Sequence, residues 1–169
     1  LPNMVWVFGY FRASWTLRVD LVADFATPVP AVLTTYTIRL RKGLRFADDP
    51  AFGGKPRELT AEDFVYSWKR LLDPKVRAYS VHVLENRLVG GDQAIAAARR
   101  SGAFDYDAPI EGLKALDRYT IRVRFDQPYF GFRHWLTTVQ FAPVAREVVD
   151  RHKDASSRVA EHPVGTGPY

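Results

Sequence analysis

Three short segments of this chain alternate apolar and polar residues with a period of two, and this pattern constrains the fold most. They are residues 15–21, 35–41 and 119–125. Strict alternation is typical of β-strands with one buried face, which build antiparallel or mixed sheets. The polar faces of the second and third segments carry four arginines: Arg39, Arg41, Arg122 and Arg124. We therefore predict that these two segments are neighbours in one sheet, with their arginines on the solvent side.

The segment ELTAEDFVYSWKRLLDP, residues 58–74, carries the strongest helix signal. Thr60 suits the N-cap position, and Asp63, three residues later, suits a capping box. Pro74 is expected to end the helix. Four apolar residues follow at the spacing i, i+4, i+7 and i+8, which places them on one helix face that can pack on the sheet. They are Phe64, Trp68, Leu71 and Leu72.

Three further segments are predicted to be helical: residues 90–102, 130–139 and 142–153. The first ends at Gly102, a suitable C-cap glycine, and the third can start after Pro143. Two loops rich in turn-forming residues, 46–59 and 104–113, separate the predicted elements. Because strands and helices are mixed without strict alternation, the predicted fold class is α+β, with helices packed on one face of a small antiparallel or mixed sheet.

The sequence lacks the residue patterns of common catalytic and metal sites. It contains no cysteine, which excludes disulfides, a cysteine-ligated zinc site and a thiol nucleophile. Its four histidines include no i, i+4 pair, and no phosphate-binding loop, dinucleotide fingerprint or nucleophile elbow is present. The acid pairs Asp48–Asp49 and Asp105–Asp107 suit turns, although an acid/base or calcium role stays open for them. We predict a non-enzymatic protein with no catalytic residue, no metal and no cofactor.

The formal net charge of +5, from 24 basic and 19 acidic residues, raises the question of an anionic partner. The four strand arginines could contact phosphates, so a basic nucleic-acid-binding α+β module is the alternative function. The charges are mixed along the chain, however, and a solvated sheet face also explains the arginines. The preferred interpretation therefore has no nucleic acid among the partners.

Several short sequence boxes occur in a fixed order over most of the chain. They are RKGLRF (41–46), TAEDFVYS (60–67), ALDRYT (115–120), Pro128, APV (142–144) and GTGPY (165–169). In this order the boxes resemble the extracellular solute-binding proteins of family 5, the peptide, dipeptide and nickel-type binding components of ABC importers. The sequence departs from the family at residues 26–34, where an Asp-Gly turn is usual, and residues 1–15 match no box.

The resemblance implies a two-lobed periplasmic binding protein of the type II-like group, class C with an extra subdomain, whose lobes close on the ligand. Family members are several times longer than this chain. We therefore interpret residues 1–169 as a single fragment, the early part of the first lobe. It includes the extra subdomain at about 35–160, and residues 161–169 form the junction back into the rest of the lobe.

The resemblance also implies three ligand-binding candidates. A tyrosine that faces the ligand in relatives corresponds to Tyr79, although core packing would explain this residue equally well. A loop that approaches the ligand in relatives corresponds to residues 137–141. Thr138 occupies the position where some relatives carry a histidine, and Gln140 lies nearby. These neutral side chains can meet a peptide main chain, or they can satisfy the backbone of their own loop.

The function implied by the resemblance is import. The protein would capture a small solute, an oligopeptide or dipeptide above all, and deliver it to the transmembrane permease of an ABC importer. The implied location is the periplasm, or the outer face of the cytoplasmic membrane through a lipid anchor, and the implied state is a monomer. No signal sequence is recognisable at residues 1–11, and no window has the roughly 20 apolar residues of a membrane helix.

Overall fold

The computed structural model describes residues 4–6, 22–24, 34–154 and 162–166. Within these residues, five strands form one antiparallel sheet in the order β1–β2–β3–β5–β4. The strands are β1 (Met4–Trp6), β2 (Val22–Asp24), β3 (Thr35–Arg39), β4 (Leu113–Asp117) and β5 (Thr120–Arg124). The helices are α1 (Ala61–Leu72), α2 (Gly91–Ser101), α3 (Phe132–Trp135) and α4 (Arg146–His152). Short 3-10 helices are present at Pro50–Phe52, Tyr79–Val83 and Val139–Phe141.

Strands β3 and β5 lie side by side at the centre of the sheet. Ile38 is directly opposite Ile121, and Tyr36 is directly opposite Val123. All four side chains are buried, because they share the face that the helices cover. The predicted pairing of segment 35–41 with segment 119–125 is therefore confirmed. The third predicted strand, residues 15–21, lies outside the described residues.

Strand β4 forms a tight hairpin with β5 and was not predicted from the sequence. The Asp117 carboxylate accepts a hydrogen bond of 2.8 Å from the backbone N–H of Tyr119 and so closes the turn. The pairing shifts register between Ala115 and Asp117, and the extra residue, Leu116, remains 50% exposed. The strand contains Lys114, Ala115 and Asp117, which have low strand propensity, so its pairing with β5 decides its conformation.

Helix α1 packs against β4 and β5 and forms the centre of the core. The predicted capping box is present, since the Asp63 carboxylate accepts a 2.7 Å hydrogen bond from the backbone N–H of Thr60. Trp68 is fully buried, and its indole N–H donates to the carbonyl oxygen of Phe141 at 2.9 Å. The ring of Phe132 lies 6.0 Å from that of Trp68 and 4.8 Å from that of Phe125. An aromatic core thus joins α1, the sheet and the segment after β5.

The opposite face of α1 is also buried, beneath the loop at residues 103–110. The Lys69 ammonium donates hydrogen bonds of 2.8 Å to the carbonyl oxygens of Tyr106 and Ala108. Burial lowers the pKa of Lys69 and raises that of the Tyr106 hydroxyl, which donates to the Asp73 carboxylate at 2.5 Å. The predicted apolar stripe is therefore correct, but the polar face of α1 is satisfied by protein groups instead of water.

The other predicted helices are present with changed bounds. Helix α2 ends at Ser101 and is capped by Gly102, which adopts the expected left-handed conformation with φ of 74°. In the segment 130–139 the α-helix is limited to the four residues of α3, because the hydroxyls of Thr137 and Thr138 donate to carbonyl oxygens one turn earlier, each at 2.7 Å, and Val139 already begins a 3-10 helix. Helix α4 starts at Arg146, three residues after Pro143. In the described part of the chain, no helix has the length and apolar character needed to cross a membrane.

Candidate ligand-binding surface

Tyr79 lies on the surface at the start of the 3-10 helix Tyr79–Val83. Its neighbours Ser80 and Val83 are almost completely buried and fix this helix to the core. The Tyr79 side chain points away from that anchor and is 85% exposed. Core packing therefore does not explain this tyrosine, and its large apolar ring is available to a partner.

The Tyr79 ring is the outer end of a line of rings that we call the aromatic row: Tyr79, His82 and Trp135. Their ring centroids are separated by 5.7 Å and 5.3 Å, and both contacts are edge-to-face. His82 Nδ1 lies 2.9 Å from the carbonyl oxygen of Tyr79, which requires Nδ1 to carry the hydrogen and fixes the ring. Trp135 continues the row inward, since its ring lies 6.3 Å from that of buried Phe141. The row thus connects a solvent-exposed ring to the core.

Thr138 and Gln140 lie on the segment that follows Trp135. Thr138 is half-buried, and its hydroxyl donates to the carbonyl oxygen of Trp135 at 2.7 Å, so this group already satisfies its own loop. Gln140 is exposed, and its side chain makes no hydrogen bond to any residue that the structure describes. Val139 between them is 60% exposed. The amide of Gln140 is therefore the free polar group of this segment.

The ring contact between His82 and Trp135 brings the helix of Tyr79 next to the segment that carries Thr138 and Gln140. Cations lie on the same segments. The Arg87 guanidinium donates to the carbonyl oxygen of His82 at 2.7 Å and lies 4.9 Å from the ring of Tyr129. Burial raises the pKa of Tyr36, and the nearby charge of Arg133 partly offsets this effect. The surface therefore combines exposed rings and an amide with the nearby cations Arg87 and Arg133.

His82, Trp135 and Val139 were missed by the sequence reasoning. The signal for His82 was its spacing of three residues from Tyr79, which places both on one side of a 3-10 helix. No comparable signal marked Trp135, because only the folded chain brings α3 against the Tyr79–Val83 helix.

Two further clusters carry titratable groups. The Glu58 carboxylate accepts hydrogen bonds from Arg118 at 2.8 Å, Tyr119 at 3.0 Å and the backbone N–H of Gly43 at 3.0 Å. These donors, Arg118 first, lower the pKa of Glu58 to about 2. This cluster ties the turn before β5 to the loop after β3, so its role is to hold the fold.

The second cluster joins α4 to the segment 162–166. The rings of His152 and His162 stack 4.1 Å apart at an interplanar angle of 23°, and His152 Nε2 lies 3.6 Å from the Asp49 carboxylate. Nitrogen lone pairs lie in the ring planes, so nearly parallel rings do not direct them to one point. Among the described residues, no group of three or more histidine and acidic side chains is arranged to hold a metal ion.

Comparison with known proteins shows that the class of this chain is that of the bacterial extracellular solute-binding proteins. The sequence pattern described as "Bacterial extracellular solute-binding proteins, family 5 Middle" matches residues 22–169, and the chain belongs to this family. The family predicted from the ordered sequence boxes is thus confirmed.

Individual relatives differ in the ligands that their names specify. The chain is 33% identical over 123 residues to the Escherichia coli (strain K12) protein named "Probable deoxycholate-binding periplasmic protein YgiS", covering 73% of this chain and 21% of that protein. It is 31% identical over 143 residues to the "Dipeptide-binding protein" of Lactococcus lactis subsp. cremoris (strain MG1363), covering 80% and 22%. The chain spans about a fifth of the length of these curated relatives.

A solved structure confirms the predicted fold. Haemophilus influenzae OppA in complex with the peptide RPPGFSPFR matches with a TM-score of 0.61 and 28% identity, covering 87% of this chain and 26% of that one. The α+β fold of this chain therefore corresponds to part of a larger binding protein of the oligopeptide-binding type.

Proposed function

We propose that this chain is part of the substrate-binding component of an ABC importer that captures a peptide and delivers it to a transmembrane permease. The observation that carries this proposal is the family match across residues 22–169. It is supported by relatives that are named for dipeptide and oligopeptide binding. The chain is further proposed to lie in the first lobe, with about 35–160 as the extra subdomain and 161–169 as the junction.

The chemistry of the exposed surface suits a peptide. The rings of Tyr79 and Trp135 offer flat apolar area to side chains, and aromatic rings supply such area at low entropic cost. The Gln140 amide has both a donor and an acceptor and can therefore pair with a peptide main chain. A peptide bound here would meet these groups from one side and the opposing lobe from the other, since small-ligand sites bury most of the ligand.

The same proposal covers the location and the partners. Four relatives are named as periplasmic proteins, so we place this protein outside the cytoplasmic membrane, in the periplasm or on a lipid anchor. We further propose that it acts as a monomer, without catalysis, metal or cofactor. Deoxycholate, named for one relative, is the rival ligand class, and it lacks the regularly spaced amides of a peptide.

Site-directed variants of the full-length protein that contains this chain test the proposed surface. Replacing Tyr79 by alanine is expected to weaken peptide binding about tenfold, equivalent to about 1.4 kcal/mol. The matched control is Phe130→Ala, since Phe130 is also an exposed aromatic residue, at 58%, but is not in the aromatic row. Equal affinities for Tyr79→Ala and wild type in fluorescence titration would contradict the assignment of Tyr79.

The nucleic-acid alternative has its own test. Three of the four strand arginines already contribute to folded contacts, since Arg124 pairs with Glu111, and Arg39 and Arg41 also have interaction partners. We propose that no nucleic acid binds, and expect no salt-dependent binding of a random oligonucleotide. Affinity that falls steeply with salt would instead favour the nucleic-acid module.

A further inference from the structure

A surface pocket of about 450 Å³ lies where the C-terminal ends of α1 and α2 meet. Its wall is cationic: Lys75 and Arg77 come from the loop after α1, and Arg99 comes from the last turn of α2. Buried Phe104 contributes an apolar floor. This volume is in the range of pockets that hold small ligands.

The cations of this pocket lack counter-charges. Among residues 34–154 and 162–166, no carboxylate is within ion-pair distance of Lys75, Arg77 or Arg99. Elsewhere exposed arginines do find acids; Arg118, for example, pairs with Glu58 at 2.8 Å.

Asp73, the carboxylate that lines the pocket, is already engaged. One of its oxygens accepts the backbone N–H of Lys75 at 2.9 Å, and the other accepts the Tyr106 hydroxyl at 2.5 Å. It is also 96% buried, since its exposed fraction is 4%. Asp73 therefore holds the loop in place and does not cover the cations.

Favourable interaction with the helix ends is the simplest alternative explanation for these cations. Each helix C-terminus carries a partial charge of about −0.5, so two ends supply about one negative charge against three positive side chains. Even with Asp73 added, a positive excess remains at the pocket. Arg77 also adopts a left-handed conformation, with φ of 51°, which residues other than glycine, asparagine and aspartate seldom adopt. A helix end needs neither this excess of positive charge nor a left-handed arginine to be complete.

We infer that this pocket binds a phosphate group through Lys75, Arg77 and Arg99. Guanidinium groups present a planar fork of donors that matches phosphate oxygens, and lysine adds a compact positive charge. Free phosphate compounds and lipid headgroups present the same oxygens, so the pocket chemistry suits both sources. The inference is independent of which solute occupies the proposed peptide surface.

The test uses the full-length protein, with inorganic phosphate in calorimetry and with vesicles of phosphatidylglycerol or phosphatidylcholine in flotation. The double variant Arg77→Asn/Arg99→Gln removes two charges, and asparagine tolerates the left-handed conformation of residue 77. The control Lys55→Gln/Lys114→Gln removes the same charge from exposed lysines outside the pocket. Peptide affinity and the thermal midpoint report whether each variant is folded.

Wild type and the control are expected to bind phosphate, and the pocket variant about tenfold more weakly or not at all. Phosphate binding without flotation on phosphatidylglycerol would assign the pocket to free phosphate compounds. The pocket would be assigned to lipid headgroups if wild type floated with phosphatidylglycerol vesicles, free phosphate inhibited this flotation, and the pocket variant did not float. The inference would be overturned if wild type showed neither phosphate binding nor flotation on phosphatidylglycerol vesicles. It would also be overturned if the pocket variant and the control lost phosphate affinity to the same extent.

Discussion

Gly112 occupies a position where the structure leaves no space for a side chain. Its backbone N–H donates to the carbonyl oxygen of Val89 at 2.8 Å, and its own carbonyl oxygen accepts the N–H of Arg124 at 2.7 Å. A Cβ atom here would lie 2.5 Å from the carbonyl oxygen of Arg124 and 2.7 Å from that of Val89. These neighbours are backbone atoms, so they cannot move aside by changing rotamer.

The substitution Gly112→Ala is therefore expected to cost about 3 to 5 kcal/mol. Overpacking typically costs about 1 to 3 kcal/mol, and each of the two threatened hydrogen bonds contributes about 1 kcal/mol. Gly102→Ala is the comparison variant, because Gly102 has open space around it, so an alanine there meets no neighbouring atom and is strained only by the left-handed φ of 74°, which Gly112 does not share. That variant isolates the conformational cost of alanine, about 1 kcal/mol. Urea denaturation followed by tryptophan fluorescence measures the free energy of unfolding of both variants. The reasoning would be refuted if Gly112→Ala lowered this free energy by no more than Gly102→Ala does.

Two further predictions concern pH and ligand binding. The folded-state pKa of Glu58 is about 2, below its ordinary value of 4.5, so Glu58 stabilises the fold above pH 4.5 and loses this effect as the pH falls toward 2. The unfolding free energies of wild type and Glu58→Gln should therefore converge in acid, and a difference that is constant with pH would contradict this. The isolated 169-residue chain is expected to bind peptides weakly or not at all, because no opposing lobe can enclose the ligand. Micromolar peptide binding by this chain in calorimetry would contradict that expectation.

Local patterns predicted those parts of the fold that local interactions decide. The alternation around Ile38 and Ile121 reflects a sheet with one buried face, and Thr60 with Asp63 forms a cap within a single turn. Strand β4 escaped prediction because its residues favour no strand, and only the partner β5 holds it extended. The buried ammonium of Lys69 was equally invisible, since its acceptors lie 37 and 39 residues away in the chain.

The candidate surface shows a similar division. Tyr79, Thr138 and Gln140 were predicted from a family resemblance, and the structure adds that Tyr79 is exposed while Thr138 satisfies its own loop. The aromatic row could not be predicted from the sequence, because His82 and Trp135 are 53 residues apart in the numbering and meet through tertiary packing. Their role in ligand binding stays a prediction.

The central claim, that this is part of a peptide-binding protein, is tested most directly by calorimetric titration of the full-length protein. The ligands are a series from dipeptides to nonapeptides, with deoxycholate titrated in parallel. The account predicts saturable binding of at least one peptide length, with deoxycholate neither binding nor competing. Binding of deoxycholate with no heat from any peptide would contradict the account.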